Sequence, residues 1–122
     1  MPDMTSVVGA RFEQLALEYL ERAGLKLVQR NFRTRFGELD LIMRDGGMLV
    51  FVEVRYRRDA RFGGGAASVG PDKRAKLARA AQGFLQSHPH FTSSPCRFDV
   101  IAFDGEARAP ACNWQRAAFE ID

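Results

Sequence analysis

Two short runs, Gly37-Glu38-Leu39-Asp40-Leu41-Ile42 and Phe51-Val52-Glu53-Val54-Arg55, are joined across Asp45-Gly46-Gly47, and this arrangement constrains the chain more than any other feature. Both runs read as strands, and the glycine pair between them is a hairpin signal. With Gly46 and Gly47 as the central turn residues, facing residues of the antiparallel ladder carry numbers that sum to 93. A four-residue turn from Asp45 to Met48 preserves the same pairing. That register sets Asp40 opposite Glu53, and Glu38 opposite Arg55. Two carboxylates in register repel, and a divalent cation held between them removes the penalty. No salt bridge explains the acidic pair, whereas Glu38 with Arg55 reads equally well as one.

Strand alternation assigns faces. Glu38, Asp40 and Ile42 fall on one side of the first strand, and Leu39, Leu41 and Met43 on the other. In the second strand Leu49, Phe51, Glu53, Arg55 and Arg57 share a face opposed by Val50, Val52, Val54 and Tyr56. One face therefore mixes acids and arginines with bulky apolar groups, and the other is almost wholly apolar.

The remaining elements follow from periodicity. Phe12, Leu15, Ala16, Tyr19, Leu20 and Ala23 keep helical spacing, with Gly24 where a helix stops. Glu13 lies at the rim of that stripe. Leu25 to Phe32 reads as a strand leading into the hairpin. The glycine-rich run 61–67 reads as a mobile loop and lacks the Gly-Lys-Ser/Thr ending of a P-loop. Pro71 opens a helix whose apolar stripe is Leu77, Ala80, Ala81, Phe84 and Leu85. Lys73 extends this stripe by one turn, which aims its ammonium at a phosphate or an acid near the sheet edge. His88 and His90 flank Pro89 and read as solvated loop histidines rather than zinc ligands. Cys96 to Phe103 reads as a buried strand, parallel to the Glu53 strand after a crossover. The tail with Trp114 and Phe119 is expected to close the core.

The 122 residues suit one domain, 1–122, with 46% hydrophobic and 27% charged residues, as in an ordinary globular chain. No apolar run approaches the ~20 residues of a membrane span, so a cytoplasmic location is expected. Cys96 and Cys112 are read as reduced, structural thiols. The net charge of +3 is modest, but its placement is informative. Arg30, Arg33 and Arg35 precede the hairpin; Arg55, Arg57, Arg58 and Arg61 follow Glu53; Lys73, Arg74, Lys76 and Arg79 lie on the next helix. These clusters bracket the acids, as groups that meet an anionic polymer would.

An acid on one strand followed by Glu-x-Lys on the next is the signature of the PD-(D/E)xK nuclease superfamily. Gly37-Glu38-Leu39-Asp40 followed by Phe51-Val52-Glu53-Val54-Arg55 resembles its branch related to archaeal Holliday-junction resolvases. More narrowly, the chain resembles the YraN-like family of predicted bacterial endonucleases. That resemblance runs from Gly9-Ala10-Arg11-Phe12-Glu13 through Arg30-Asn31-Phe32-Arg33, the two strands and Lys73 to Arg97-Phe98-Asp99-Val100. It implies an α/β restriction-endonuclease-like fold with a mixed sheet. The implied activity is metal-dependent hydrolysis of phosphodiester bonds in DNA, with branched or flapped molecules among the substrates and a homodimer as an available assembly.

On this resemblance Asp40, Glu53 and the backbone carbonyl of Val54 would hold Mg²⁺ or Mn²⁺, with Glu13 and Glu38 as further candidates. Arg57, Arg58, Lys73 and Lys76 would meet DNA. Asp99 reads equally as a catalytic acid or as a structural partner of Arg97 or a backbone amide. Arg55 stands where the superfamily has lysine. It cannot serve as a general base, but it can stabilise charge in the transition state. The alternative reading is a nucleic-acid-binding module of the same fold without turnover, and a third is an assembly domain whose acidic hairpin is structural.

Overall fold

The computed structural model describes residues 4–57, 69–106 and 108–120. Helix α1 (Met4–Arg22) is followed by strands β1 (Lys26–Thr34), β2 (Gly37–Asp45) and β3 (Met48–Arg57). Helix α2 (Pro71–Ser87) then leads through a 3₁₀ turn at Pro89–Phe91 to β4 (Cys96–Asp104) and β5 (Ala111–Phe119). The strands form one sheet in the order β1-β2-β3-β4-β5. Only the β3–β4 pairing is parallel, because α2 carries the chain back to the starting end of β3; the others are antiparallel. This is the mixed α/β arrangement expected of a restriction-endonuclease-like fold. None of the described helices is long and apolar enough to cross a membrane.

Each helix covers one face of the sheet. Phe12, Ala16, Leu17 and Leu20 of α1 pack on Leu41, Met43, Val50, Val52, Ile101 and Phe103. Leu77, Ala80, Ala81 and Phe84 of α2 pack on Leu39, Ile42, Leu49, Phe51 and Val100. Helix α1 ends where Gly24 predicts. Gly24 takes φ +100°, its N–H donates to the carbonyl of Glu21 (3.0 Å), and that of Leu25 donates to Leu20 (3.1 Å), the paired bonds of a Schellman stop. Gly46 takes φ +59° between Asp45 and Met48, which face each other, as a two-residue hairpin with glycine first demands.

The alternation expected for β2 does not hold throughout. Leu39 packs with Ile42 on the α2 side, while Leu41 and Met43 lie on the α1 side. In the β1–β2 ladder Arg30 faces Leu41 and Phe32 faces Leu39. Between these rungs Asn31 has φ +55°, a left-handed conformation that asparagine tolerates better than most residues. The change of face in β2 falls opposite this residue, and Glu38 lies on the α1 side with Glu13 and Asp40.

Other expectations are corrected in detail. His88 is not a solvated loop residue: it caps α2, stacks on Phe84 with ring centroids 4.0 Å apart, and bonds through Nδ1 to the Phe84 carbonyl at 2.9 Å. Cys96 and Cys112 are free, as the reading of reduced thiols expects, and both are exposed. The tail closes the core as the edge strand β5, with Phe119 buried. The run 61–67 and Arg58 lie outside the described residues.

Candidate active site

The β2–β3 ladder runs from Asp45 facing Met48 to Leu41 facing Val52, so the register summing to 93 is the one observed. Beyond that rung the two strands follow different neighbours. β2 stays with β1 as far as Gly37, and β3 stays with β4 as far as Arg57. The expected pairs Asp40 with Glu53 and Glu38 with Arg55 therefore stand past the last rung, where the strands part. There the N–H of Val54 donates to Oδ2 of Asp40 at 2.9 Å, so a side chain takes the place of a backbone carbonyl. Satisfying that amide with a carboxylate opens the sheet at the acids without leaving a buried donor unpaired.

On the α1 side of this opening, one carboxylate oxygen each from Glu13, Glu38 and Asp40 lies within 4.8 Å of the others. Ligands about 2 Å from one Mg²⁺ stand at most about 4.2 Å apart, so small side-chain rotations suffice to bring the three onto one ion. The Asn31 amide, with its nitrogen toward the acids, donates to Oε1 of Glu13 (2.8 Å) and Oε1 of Glu38 (2.9 Å). Arg33 pairs with Glu38 at 3.4 Å. A cleft of about 560 Å³ opens here, lined by Glu13, Asn31, Glu38, Asp40, Val54 and Tyr56 among others. Burial, reinforced by Asp40 and Glu38, holds the Glu13 pKa above its ordinary value. Burial likewise raises Asp40, against the bond from Val54.

Glu53 reaches the same opening from the α2 side. It is only 6% exposed, and its pKa is pushed up to about 7, first by burial and then by the charge of Asp40. Lys73 and Arg55 oppose this shift in both Asp40 and Glu53. The Lys73 Nζ stands 3.7 Å from Oε1 of Glu53, so the aim read from the α2 stripe is the acid. The other oxygen, Oε2, is buried and accepts no hydrogen bond among the described residues. An orphaned carboxylate oxygen is costly, and beside a second acid of raised pKa it marks a place suited to a hard cation. The donor set, all carboxylate with the Val54 backbone at hand, fits Mg²⁺ or Mn²⁺.

Glu13, Glu38 and Asp40, all singled out from the sequence, are thus brought together by the fold around the parting of β2 and β3, while Glu53, also singled out, lies outside that trio and meets it through the charge of Asp40. Asn31 had no role in that reading; an asparagine, a residue depleted in strands, between Arg30 and Phe32 was the available signal. Arg57 is half-buried at the end of β3, and Lys76 is exposed on α2. Asp99 stands apart from the site. Fully buried, it accepts from Arg97 Nε (3.0 Å), Trp114 Nε1 (3.0 Å) and the N–H of Ala117 (3.0 Å). These bonds tie β5 to β4 where the register shifts between Phe98 and Val100, so its role is structural.

Residues 12–103 match the family described as "Uncharacterised protein family UPF0102". A UPF0102 protein of Xanthomonas campestris pv. campestris is 58% identical over 122 residues, covering 100% of this chain and 98% of that one. A UPF0102 protein of Stutzerimonas stutzeri is 51% identical over 112 residues, covering 92% and 93%. One from Nitrosococcus oceani is 48% identical over 114 residues, covering 93% and 92%. Matches of this extent and identity establish that the chain belongs to the UPF0102 family.

Proposed function

We propose that this protein is a metal-dependent endonuclease of the PD-(D/E)xK type, similar to the YraN-like enzymes, acting on phosphodiester bonds in DNA. The observation that carries the reading is the convergence of Glu13, Glu38 and Asp40, one carboxylate oxygen of each within 4.8 Å of the others, beside the buried Glu53 at the point where β2 and β3 separate. Asp40, Glu53 and the Val54 carbonyl would hold Mg²⁺ or Mn²⁺, with Glu13 and Glu38 alongside. Bound there, the cation supplies Lewis-acid neutralisation of the charge that develops on the phosphoryl group. Arg55 would stabilise that charge through hydrogen bonds from its guanidinium to the phosphoryl oxygens. Lys73, one of three lysines in the chain, sets its Nζ 3.7 Å from Oε1 of Glu53. A lysine beside the buried acid, where arginine fills the usual lysine position, supports the enzyme reading over a binding module without turnover. Asn31 holds Glu13 and Glu38 together in the absence of the cation.

The test is cleavage of linear, nicked, flapped and four-way DNA in Mg²⁺ or Mn²⁺, with Asp40→Ala as the control. Turnover by the wild type and its loss in Asp40→Ala support the reading. Binding without turnover under every condition turns it into a nucleic-acid-binding module.

A further inference from the structure

Phe36, at the tip of the β1–β2 turn, is 36% exposed, and only Tyr19 and Leu27 share this status among the large apolar residues described. The turn that presents it is held by the Thr34 side chain. The Thr34 hydroxyl accepts from the N–H groups of Phe36 (3.0 Å) and Gly37 (3.2 Å) and donates to the Gly37 carbonyl (3.0 Å). Two guanidiniums lie against the ring, Arg35 at 4.8 Å and Arg79 at 5.3 Å from its centroid. Beside them is a groove of about 430 Å³ whose floor and wall include Gln82, Gly83 and Gln86. A turn tip needs no phenylalanine for its own stability, and this one is too exposed to serve the core. Flat apolar and guanidinium surfaces with amide groups beside them match a nucleobase, which stacks on such planes and bonds through its edge.

A basic ridge connects this place to the acids. Lys73, Lys76 and Arg79 follow one another at i, i+3 and i+6 on α2. Lys73 meets Glu53, Lys76 packs against Gly37 at 3.6 Å from where a Cβ would stand, and Arg79 meets Phe36. Along β2, Phe36 is four residues from Asp40, roughly 13 Å at strand rise. That is about four nucleotides of a stacked strand at 3.4 Å each.

We infer that Phe36, with Arg35 and Arg79, is a stacking site for an unpaired nucleobase of a strand whose phosphates follow Lys73, Lys76 and Arg79 toward the acidic opening. The inference rests on the nuclease reading for what happens to that strand, and it names the substrate class as nucleic acid with an unpaired stretch near the scissile bond. Duplex DNA, whose bases are already stacked on one another, cannot use the site without unstacking.

Fluorescence anisotropy with a short single-stranded oligodeoxynucleotide and its duplex, in chelator so that no turnover occurs, tests it. Phe36→Ala should lose between about 5- and 150-fold in single-strand affinity, with duplex affinity and the salt slope unchanged. Phe36→Trp should restore the loss. Arg79→Gln should lower the single-strand salt slope by about 0.7. Circular dichroism checks that each variant is folded, and Phe36 is exposed enough for the substitutions to be tolerated. Wild-type single-strand affinity in Phe36→Ala overturns the inference. So does an equal loss on duplex, or a change confined to the oligomeric state, which would make Phe36 a contact between copies. Cleavage of the DNA panel by the wild type and by Phe36→Ala is read separately, in Mg²⁺. Loss of stacking with cleavage intact, or cleavage absent with stacking intact, therefore tells failure of this inference apart from failure of the nuclease reading.

Discussion

Glu53 concentrates the physics of the site in one side chain. Its carboxyl is ordinarily half-ionised near pH 4.5 but is held up to about 7 by burial and by Asp40. Below the lower value both folded and unfolded chains keep the proton, and nothing is lost. Between the two values the unfolded chain releases it while the folded chain retains it, so stability falls as pH rises through this window. The loss should be on the order of 3 kcal/mol by about pH 8, measured by urea melts in chelator. Glu53→Gln should flatten it, and a wild-type profile that does not fall would show that Glu53 is not strained. Mg²⁺ or Mn²⁺ should stabilise the wild type most at the alkaline end, and this shift should vanish in Asp40→Asn. Asp40→Asn keeps an oxygen to accept the Val54 N–H, so its metal-free stability should equal or exceed that of the wild type by roughly 0.2–1 kcal/mol. Arg55 makes a separate prediction. Arg55→Lys should retain substantial cleavage, whereas Arg55→Gln should lose on the order of 10²-fold. Full activity of Arg55→Gln would remove it from the chemistry.

At the scale of the element, the kink at Asn31 matters most. Its left-handed conformation falls where β1 and β2 change faces, and its amide, with the nitrogen toward the acids, spans Glu13 and Glu38. These two contributions can be separated. Asn31→Gly keeps the backbone accessible and removes only the amide, so stability should change by less than about 1 kcal/mol while metal affinity falls because the acids lose their common donor. Asn31→Val should instead destabilise by about 1–3 kcal/mol, since a β-branched residue resists this conformation. Calorimetric metal titration alongside thermal melts distinguishes the two effects. Equal metal affinity in Asn31→Gly would leave Asn31 with a backbone role alone. Helix α2 shows how one element serves two ends: its buried stripe of Leu77, Ala80, Ala81 and Phe84 fixes the helix on the sheet, and that fixation sets Lys73 against Glu53.

For the whole molecule, the basic residues that flank the acids predict the salt dependence of binding. Replacing Arg57, Arg58, Lys73 and Lys76 with alanine should weaken DNA binding and flatten its salt dependence by about 0.9 logarithmic units for each phosphate no longer neutralised. Base preference should hardly change, because pairing with phosphate conveys no sequence information. Titrations at several salt concentrations decide this, and an unchanged slope would make these side chains solvated surface only.

Helical spacing in α1 and α2, the Gly24 stop, the Gly46-Gly47 turn and the 93-sum register were all legible in the chain. Each depends on local periodicity or on the conformational freedom of glycine, which a short segment carries within itself. The four acids were legible because the register alone sets two of them together and the family resemblance supplies the others. The sequence could not show that the ladder ends at Leu41 and Val52. That outcome depends on β2 staying with β1 while β3 stays with β4, and the competition between neighbours is settled only when the whole sheet forms. Nor could it show the reversed face at Leu39, the structural commitment of Asp99 to β5, or the stacking of His88 on Phe84. In each case a long-range partner decides between conformations that local propensity leaves nearly equal in energy.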